Sequence, residues 1–479
     1  MHPFKFAQTR FLALISLVWL SLFILTRSVL LFTHLHEAQL SLGSTLALYA
    51  EGAVYDFAFL LYALAPLALY LLLCPTRVWQ SRWHPHLLQL VLTLSIFIML
   101  FTAVSEWLFW DEFSVRFNFI AVDYLVYSDE VLNNILESYP VYPLLGVLAL
   151  IAIGMTLALR GALRTVAAAP LLSWRQRGLV LSSWALLLGL SVGTIGQGFP
   201  RSSGGNAYQH ELSANGPYQF FAAFRNNELD YEQFYPVLPL QQVASQLREE
   251  VLEPNAQFVD GDPLSIRRQI DNPGQPKRMN VILVTIESLS AKYLGSEGDT
   301  RDLSPELDAL REQSLYFSNL YATGTRTTRG LEAITLSIPP TPGRSIVKRV
   351  GRESGFASLG QQFSAQGYDS VFMYGGRGYF DNMNAFFAGN GYRIVDQASV
   401  PDDEVTFTNA WGMSDEDLYQ QTLKVADADF AKNSPFFLQL MTTSNHRPYS
   451  YPEGRIDIAS GSGREGAVKY TDYAIGEFL

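Results

Sequence analysis

The sequence predicts two unlike halves: a five-helix transmembrane domain, then an α/β domain with a mainly parallel sheet. Three observations carry this reading. The first 196 residues hold five apolar runs, each long enough for the roughly 20 residues that cross a bilayer. Charge is unevenly spread: residues 1–196 hold ten Lys and Arg against ten Asp and Glu, so the net charge of −11 lies wholly in residues 197–479. Beyond residue 280, short apolar runs alternate with helical patterns, as in strands that feed helices beside a parallel sheet.

The apolar runs fall near 11–33, 47–73, 88–110, 142–161 and 178–196. The first is too long for a signal-peptide core, and no small-residue cleavage site follows it. Loop charges orient the set, because loops on the cytoplasmic side are rich in Lys and Arg. Lys5 and Arg10 precede the first run, Arg77 and Arg82 follow the second, and Arg160, Arg164, Arg175 and Arg177 follow the fourth. The alternate loops hold no basic residue (34–46) or one, Arg116, among several acids (111–141). A fifth crossing then puts everything from about residue 197 outside the cytoplasm. That half is acidic, which excludes a nucleic-acid surface. The single cysteine, Cys74, lies at the end of the second run, so the outer half has no disulfide and must stand on its core.

Residues 197–280 read as a connector. "RSSGGNAYQHELSANGP" has loop composition, "YQFFAAFRNNELDYEQFY" has aromatic residues at helical spacing and predicts a helix against the membrane surface or the outer domain, and "DNPGQPKRMN" marks a boundary. The domain at 281–479 opens on "VILVTIESLS", a run suited to a parallel strand buried on both faces. "SLYFSNLYA" (314–322), "SVFMYGG", "YRIVD" and "PFFLQLMTTS" repeat the type, with helices predicted at "LSPELDALREQ" and "DEDLYQQTLKVADADFAK". In such sheets function gathers at the carboxyl ends of the strands.

Five places there could carry chemistry. Glu287 follows the first strand, where a carboxylate needs a partner, a metal or a capping role. "GTRTTRGLEA" (324–333) places Thr325, Thr327 and Thr328 before a helix start. A hydroxyl there suits a helix cap and equally suits a nucleophile toward phosphate or sulfate, with Arg326 and Arg329 as anion holders. "MYGGRGYFDNMNAFF" offers Arg377 and Asp381, or a plain surface loop. "NAWGMSDEDL" offers Trp411 as a pocket wall, while Ser414 to Glu416 read as a helix cap. "MTTSNHRPYSYPEG" puts His446 just past a buried strand, as a structural residue or a ligand.

These motifs, in this order and after five spans, resemble the lipoteichoic acid synthase family of the alkaline phosphatase and sulfatase superfamily. The resemblance covers essentially the whole chain and implies an alkaline phosphatase/sulfatase-like fold. It implies that Glu287 is a metal ligand and that Thr327 is the nucleophile and second ligand, with Thr328 as runner-up. Arg329, Arg377, Asp381, Trp411 and His446 would bind substrate. Tyr374 stands near where Gram-positive members have a histidine, which alters the donor contacts there. The implied cofactor is one divalent metal ion, manganese first, with magnesium or zinc as alternatives.

The implied activity is transfer of a phosphoglycerol-type headgroup from a phosphatidylglycerol-like phospholipid to a glycan or polyglycerol-type acceptor, through a phospho-threonine. The implied location is the bacterial inner membrane, with the catalytic domain on its outer side. The family's remaining metal ligands are a consecutive Asp-His pair on a later strand, and no His in this sequence follows an Asp. The expectation from this is a C-terminally truncated, incomplete domain that binds metal poorly and has little activity. A sulfatase-like hydrolase, a phosphoethanolamine transferase and a non-catalytic binding or sensor relative are the alternatives. Against the first stands the lack of a Cys/Ser-x-Pro-x-Arg pattern at 324–333, and against the second the lack of outer cysteines.

Overall fold

Five helices in the N-terminal half are long and apolar enough to cross a membrane. They are α1 (Ala7–Thr33), α2 (Leu42–Ala63), α3 (His84–Phe113), α4 (Val141–Ala158) and α5 (Trp174–Thr194). Each coincides with an apolar run of the sequence. The second run is interrupted, however. A separate helix, Ala65–Leu73, follows α2 and has Pro66 in its first turn, where a missing backbone N–H is tolerated. The computed structural model describes residues 5–124, 128–196, 206–225, 237–275, 277–339 and 343–479. It divides into two units, one of residues 1–128 and 139–227, the other of 129–138 and 228–479.

In the first unit, apolar side chains such as Phe11, Ile15, Tyr55, Leu92 and Ile96 form one buried cluster. Two short helices, α6 (Ala207–Ser213) and α7 (Gly216–Arg225), belong to the same unit, so part of the expected connector packs on the apolar helices. Buried charge explains the attachment. Arg27 of α1 makes paired 2.9 Å bonds to Asp56 of α2, and both side chains are 1% exposed. Arg27 also donates to the Leu212 and Ala214 carbonyls, and Asn215 Nδ2 donates to Asp56 at 2.8 Å. A second buried pair joins Arg116 to Glu106 of α3 at 2.6 Å. Two glycines make room for these groups. A Cβ at Gly52 would strike the Arg27 guanidinium, and one at Gly216 the Glu106 carboxylate. Charges buried among apolar helices are tolerated only when paired like this.

In the second unit an antiparallel pair, β1 (Ala256–Phe258) and β2 (Arg268–Ile270), precedes a four-stranded sheet. The sheet comprises β3 (Val281–Thr285), β4 (Asp369–Tyr374), β5 (Arg393–Asp396) and β8 (Phe436–Met441), in the order β3-β8-β4-β5 and parallel throughout. Between β5 and β8 in the chain lies a small hairpin, β6 (Thr408–Asn409) with β7 (Gly412–Met413). The helices that frame the sheet and site are α8 (Pro305–Arg311), α9 (Thr327–Leu336), α10 (Met383–Ala388), α11 (Asp415–Ala431) and α12 (Arg464–Phe478).

Alternate residues of each strand face opposite layers. Val371, Met373, Leu438 and Leu440 pack with Leu418 of α11 and Tyr470 of α12. Phe372, Tyr374, Phe437 and Met441 pack with Leu331 of α9 and Phe386 and Phe387 of α10. The sheet is covered on both faces, which is why its strands read as continuous apolar runs. One polar residue interrupts β8. Gln439 is fully buried, accepts from the Tyr392 hydroxyl at 2.8 Å and donates to Thr335 Oγ1 of α9 at 3.2 Å.

The stretch 314–322, expected as a strand, is not one. Leu315, Phe317, Leu320 and Tyr321 are 66–82% exposed. Among the described residues the stretch pairs with no strand, and a strand without a partner leaves its backbone groups to water.

Candidate active site

The carboxyl ends of β3 and β8 are stitched together just beyond the sheet. The Thr442 N–H donates to the Thr285 carbonyl at 3.1 Å. The Glu287 N–H donates to Thr442 Oγ1 at 3.0 Å, and Asn445 Nδ2 donates to the Glu287 carbonyl at 3.0 Å. The chain then turns sharply through Ser288, whose φ of 53° lies in the left-handed region. The Ser288 hydroxyl donates back to Glu287 Oε1 at 2.8 Å. Glu287 is thus half-buried, held from both sides, with its second oxygen facing α9.

Thr327 is the first residue of α9, preceded by Arg326 in extended conformation with no side-chain cap. Its hydroxyl donates to Glu287 Oε2 at 2.8 Å. The helix-cap role left open by the sequence is therefore not the one its side chain takes. Thr328 is 4% exposed, and its carbonyl accepts from Ser345 Oγ at 3.2 Å. The hydroxyl that meets Glu287 is that of Thr327. It stands where the first-turn N–H groups of a helix and its dipole favour an anion.

Arg329 was expected to hold substrate oxygens. Here it donates to Glu332 Oε1 at 2.7 Å and to the Gly343 carbonyl. Glu332 is fully buried and also accepts from Ser345 Oγ and the Ile346 N–H, both at 2.7 Å. Asp381, likewise expected at the substrate, is 5% exposed and ion-paired with Lys348 at 2.8 Å. These two side chains work inside the protein, since a buried charge takes the nearest complementary partner.

Two other expected residues, Trp411 and His446, do meet. Trp411, in the β6–β7 turn, lies 4.0 Å from the His446 ring, centroid to centroid, and takes the edge of Phe380 at 5.3 Å. Its Nε1 donates to the Arg447 carbonyl at 2.5 Å. Gly375 and Gly376 let this hairpin approach: a side chain at Gly376 would strike the Trp411 carbonyl. Arg377 follows on the same loop, is exposed, and lines a cavity of about 430 Å³ with Gln397, Asp402 and Thr408. Tyr374 ends β4 and is 5% exposed, stacked on Phe372.

Ser414 caps α11, accepting from the Asp417 N–H at 3.2 Å, as the sequence predicts. Its neighbour Asp415 is fully buried and accepts from the Thr443 and Ser444 N–H groups at 3.1 and 3.0 Å. Burial pushes its carboxyl above the usual range, with those bonds opposing.

The family resemblance of the sequence implies a divalent metal. Toward such an ion, Glu287 and Thr327 supply two oxygens, and the buried Asn445 Oδ1, which has no hydrogen-bond partner, is a third polar atom close by. Among the described residues no group of three or more His, Cys, Asp or Glu could hold a metal ion. Divalent cations take four or more ligands, so the described residues supply only part of such a site.

The residues that sequence reading passed over are those that do the holding: Thr442, Asn445, Glu332 and Lys348. Thr442 and Asn445 stood inside the quoted "MTTSNHRPYSYPEG". The signal for Glu332 was an acid amid the apolar positions of the α9 pattern. Nothing local marked Lys348.

Part of the chain is similar to known proteins. The Sulfatase family model matches residues 279–479. Lipoteichoic acid synthase 2 of Bacillus subtilis (strain 168) is 24% identical over 218 residues, 43% of this chain and 33% of that protein. Phosphoglycerol transferase I of Xanthomonas campestris pv. campestris (strain B100) is 26% identical over 230 residues, 43% of this chain and 32% of that protein. The chain thus matches about a third of the length of these curated relatives. Among solved structures, an alkaline phosphatase superfamily protein from Vibrio parahaemolyticus is 38% identical, covering 52% of this chain and 60% of that one, with a TM-score of 0.47. The lipoteichoic acid synthase LtaP from Listeria monocytogenes is 22% identical, covering 42% and 51%, with a TM-score of 0.37. Behind its five apolar helices, then, the chain carries in residues 279–479 a segment that matches the Sulfatase family model.

Proposed function

We propose that this chain is a membrane-anchored transferase that moves a phosphoglycerol-type headgroup from a phosphatidylglycerol-like phospholipid to a glycan or polyglycerol-type acceptor, with Thr327 as nucleophile. The single observation that carries the reading is the Thr327 hydroxyl at the head of α9, donating to Glu287 at 2.8 Å. The names of the relatives, lipoteichoic acid synthase and phosphoglycerol transferase, support the substrate class. The five apolar helices and the alternation of basic loops support a site at the outer face of a bacterial cytoplasmic membrane, where a lipid donor is within reach.

In this reaction the Thr327 oxygen bonds to phosphorus and the bond from phosphorus to the diacylglycerol oxygen breaks. The threonine proton ends on the departing diacylglycerol. An acceptor hydroxyl then displaces Thr327, which recovers a proton. Glu287 fixes the direction of Oγ1 and polarises its O–H bond, while the helix start favours the phosphoryl oxygens. Trp411 and His446 form an aromatic wall for the headgroup, and Arg377 supplies exposed positive charge. A divalent ion of the kind the superfamily uses would lower the hydroxyl's pKa. Glu287 and Thr327 are the two groups here that would face it.

The test is incubation of the membrane-reconstituted protein with phosphatidylglycerol labelled in its headgroup. Label retained on the wild-type chain and absent from Thr327→Ala supports the reading; label retained on Thr327→Ala refutes it.

A further inference from the structure

We propose that Lys348 is a positioning residue that sets the nucleophile helix against the loop carrying Arg377 and Phe380. The proposal rests on the reading of Thr327 as nucleophile. Lys348 ends the short turn Ile346–Lys348. At the other end of that turn, Ser345 and the Ile346 N–H are both held by Glu332, five residues along α9 from Thr327. Lys348 Nζ in turn holds Asp381 Oδ1 at 2.8 Å, with the two side chains 6% and 8% exposed. The Val347 carbonyl accepts from Asn382 Nδ2 at 3.0 Å. A continuous buried bridge therefore runs from α9 through residues 345–348 to residues 381–382.

The far end of the bridge is a strained one. Asp381 and Asn382 both have left-handed backbones, with φ of 54° and 63°. Two consecutive non-glycine residues persist there only when their surroundings over-determine them. The Lys348 ion pair and the Asn382 bond supply that determination. Removing the Lys348 ammonium leaves Asp381 as an unpaired buried carboxylate, and the cheapest relief is for residues 381–382 to leave the left-handed region. Phe380, whose edge rests on Trp411, and Arg377 lie immediately upstream and move with them. A displacement of about 1 Å between reacting and positioning groups costs roughly 100-fold in rate.

The test compares Lys348→Met, Lys348→Arg and Asp381→Asn with wild type, each as the whole chain in phosphatidylglycerol-containing nanodiscs. Hydrogen exchange is read at residues 376–384, with the β4 and β8 strands as internal reference. The expected result is exchange about tenfold faster at 376–384 in Lys348→Met and Asp381→Asn, unchanged strands, and a return toward wild type in Lys348→Arg. Labelling of Thr327 from headgroup-labelled lipid is expected to slow by about 100-fold in Lys348→Met, with little change in the lipid concentration giving half-maximal rate. If Lys348→Met does not fold, Asp381→Asn, which breaks the same ion pair from the other side, carries both readouts. Unchanged exchange at 376–384, or a rise shared equally by the strands, overturns the proposal. If Thr327→Ala still takes label, the nucleophile reading fails while the exchange result stands on its own.

Discussion

Replacing Arg27 with leucine should unfasten helices α6 and α7 from the first unit. The guanidinium makes two bonds to Asp56 and one each to the Leu212 and Ala214 carbonyls. Leucine removes all four donors and leaves Asp56 buried, with the Asn215 amide as a remaining partner. Breaking a buried ion pair from one side costs about 3–5 kcal/mol. For a unit of this size that is a fall of about 6–20 °C in apparent melting temperature. Cys74 provides the assay. It is the only cysteine in the chain and is 3% exposed within this unit, so a thiol-reactive fluorogenic dye reports unfolding of the unit with no engineered label. The double variant Arg27→Leu/Asp56→Leu, which leaves no orphaned charge, should recover at least half of the loss. An Arg27→Leu melting curve within about 1 °C of wild type would refute the reasoning, because it would mean that the pair and its two carbonyl contacts contribute nothing net.

Further outcomes are expected in the second unit. Glu287→Ala should lower the rate of Thr327 labelling by roughly 100-fold or more, the scale of losing a group that orients and polarises a nucleophile; a change under about threefold would argue against that role. Thr328→Ala should keep the label and cost about 1 kcal/mol through the lost methyl group, measured by denaturant titration. Asp472 of α12 is 1% exposed and accepts from the Glu306 and Leu307 N–H groups at 2.9 and 2.8 Å. Burial outweighs those bonds and raises its pKa from 3.8 to about 6. The folded state therefore binds more protons between these values. The stability this group confers is full below about pH 4 and is lost as pH rises through about 6. The penalty above that is about 3 kcal/mol. Asp472→Asn should accordingly gain stability relative to wild type by about that amount between pH 4 and pH 7, and a difference flat with pH would count against it.

The architecture was largely legible because it reflects patterns of long range along the chain. The apolar runs and their loop charges located α1–α5, and four of the five strand-like runs became β3, β4, β5 and β8. Residues 314–322 show the limit: composition reports that a segment can be a strand, not that a neighbour is present to pair with it. Within the site, Glu287 and Thr327 were legible because element ends and hydroxyl clusters are marked in sequence. Arg329 and Asp381 were read as ligand-binding charges and prove to be engaged with Glu332 and Lys348. Which partner a charge takes is set by tertiary neighbours, 33 residues apart for Lys348 and Asp381, and no local signal carries that information. The attachment of α6 and α7 was hidden for the same reason, since Arg27, Asp56 and Asn215 meet only after folding.

Gln439 has a consequence of a different kind. An apolar strand between apolar neighbours could slide by two residues and still present the same faces to both layers. The slid arrangement would bury just as much oil-like surface, so hydrophobicity alone does not choose between the two. With Gln439 in place the slide strands an amide away from Tyr392 and Thr335, which the native alignment satisfies. Its role is thus to disqualify a competitor rather than to strengthen the winner. Gln439→Leu could melt no lower than wild type and yet populate more than one alignment of β8. Because β8 leads directly to Thr442 and Asn445, which hold Glu287, the single-mindedness of one buried amide decides whether Glu287 and Thr327 meet at all.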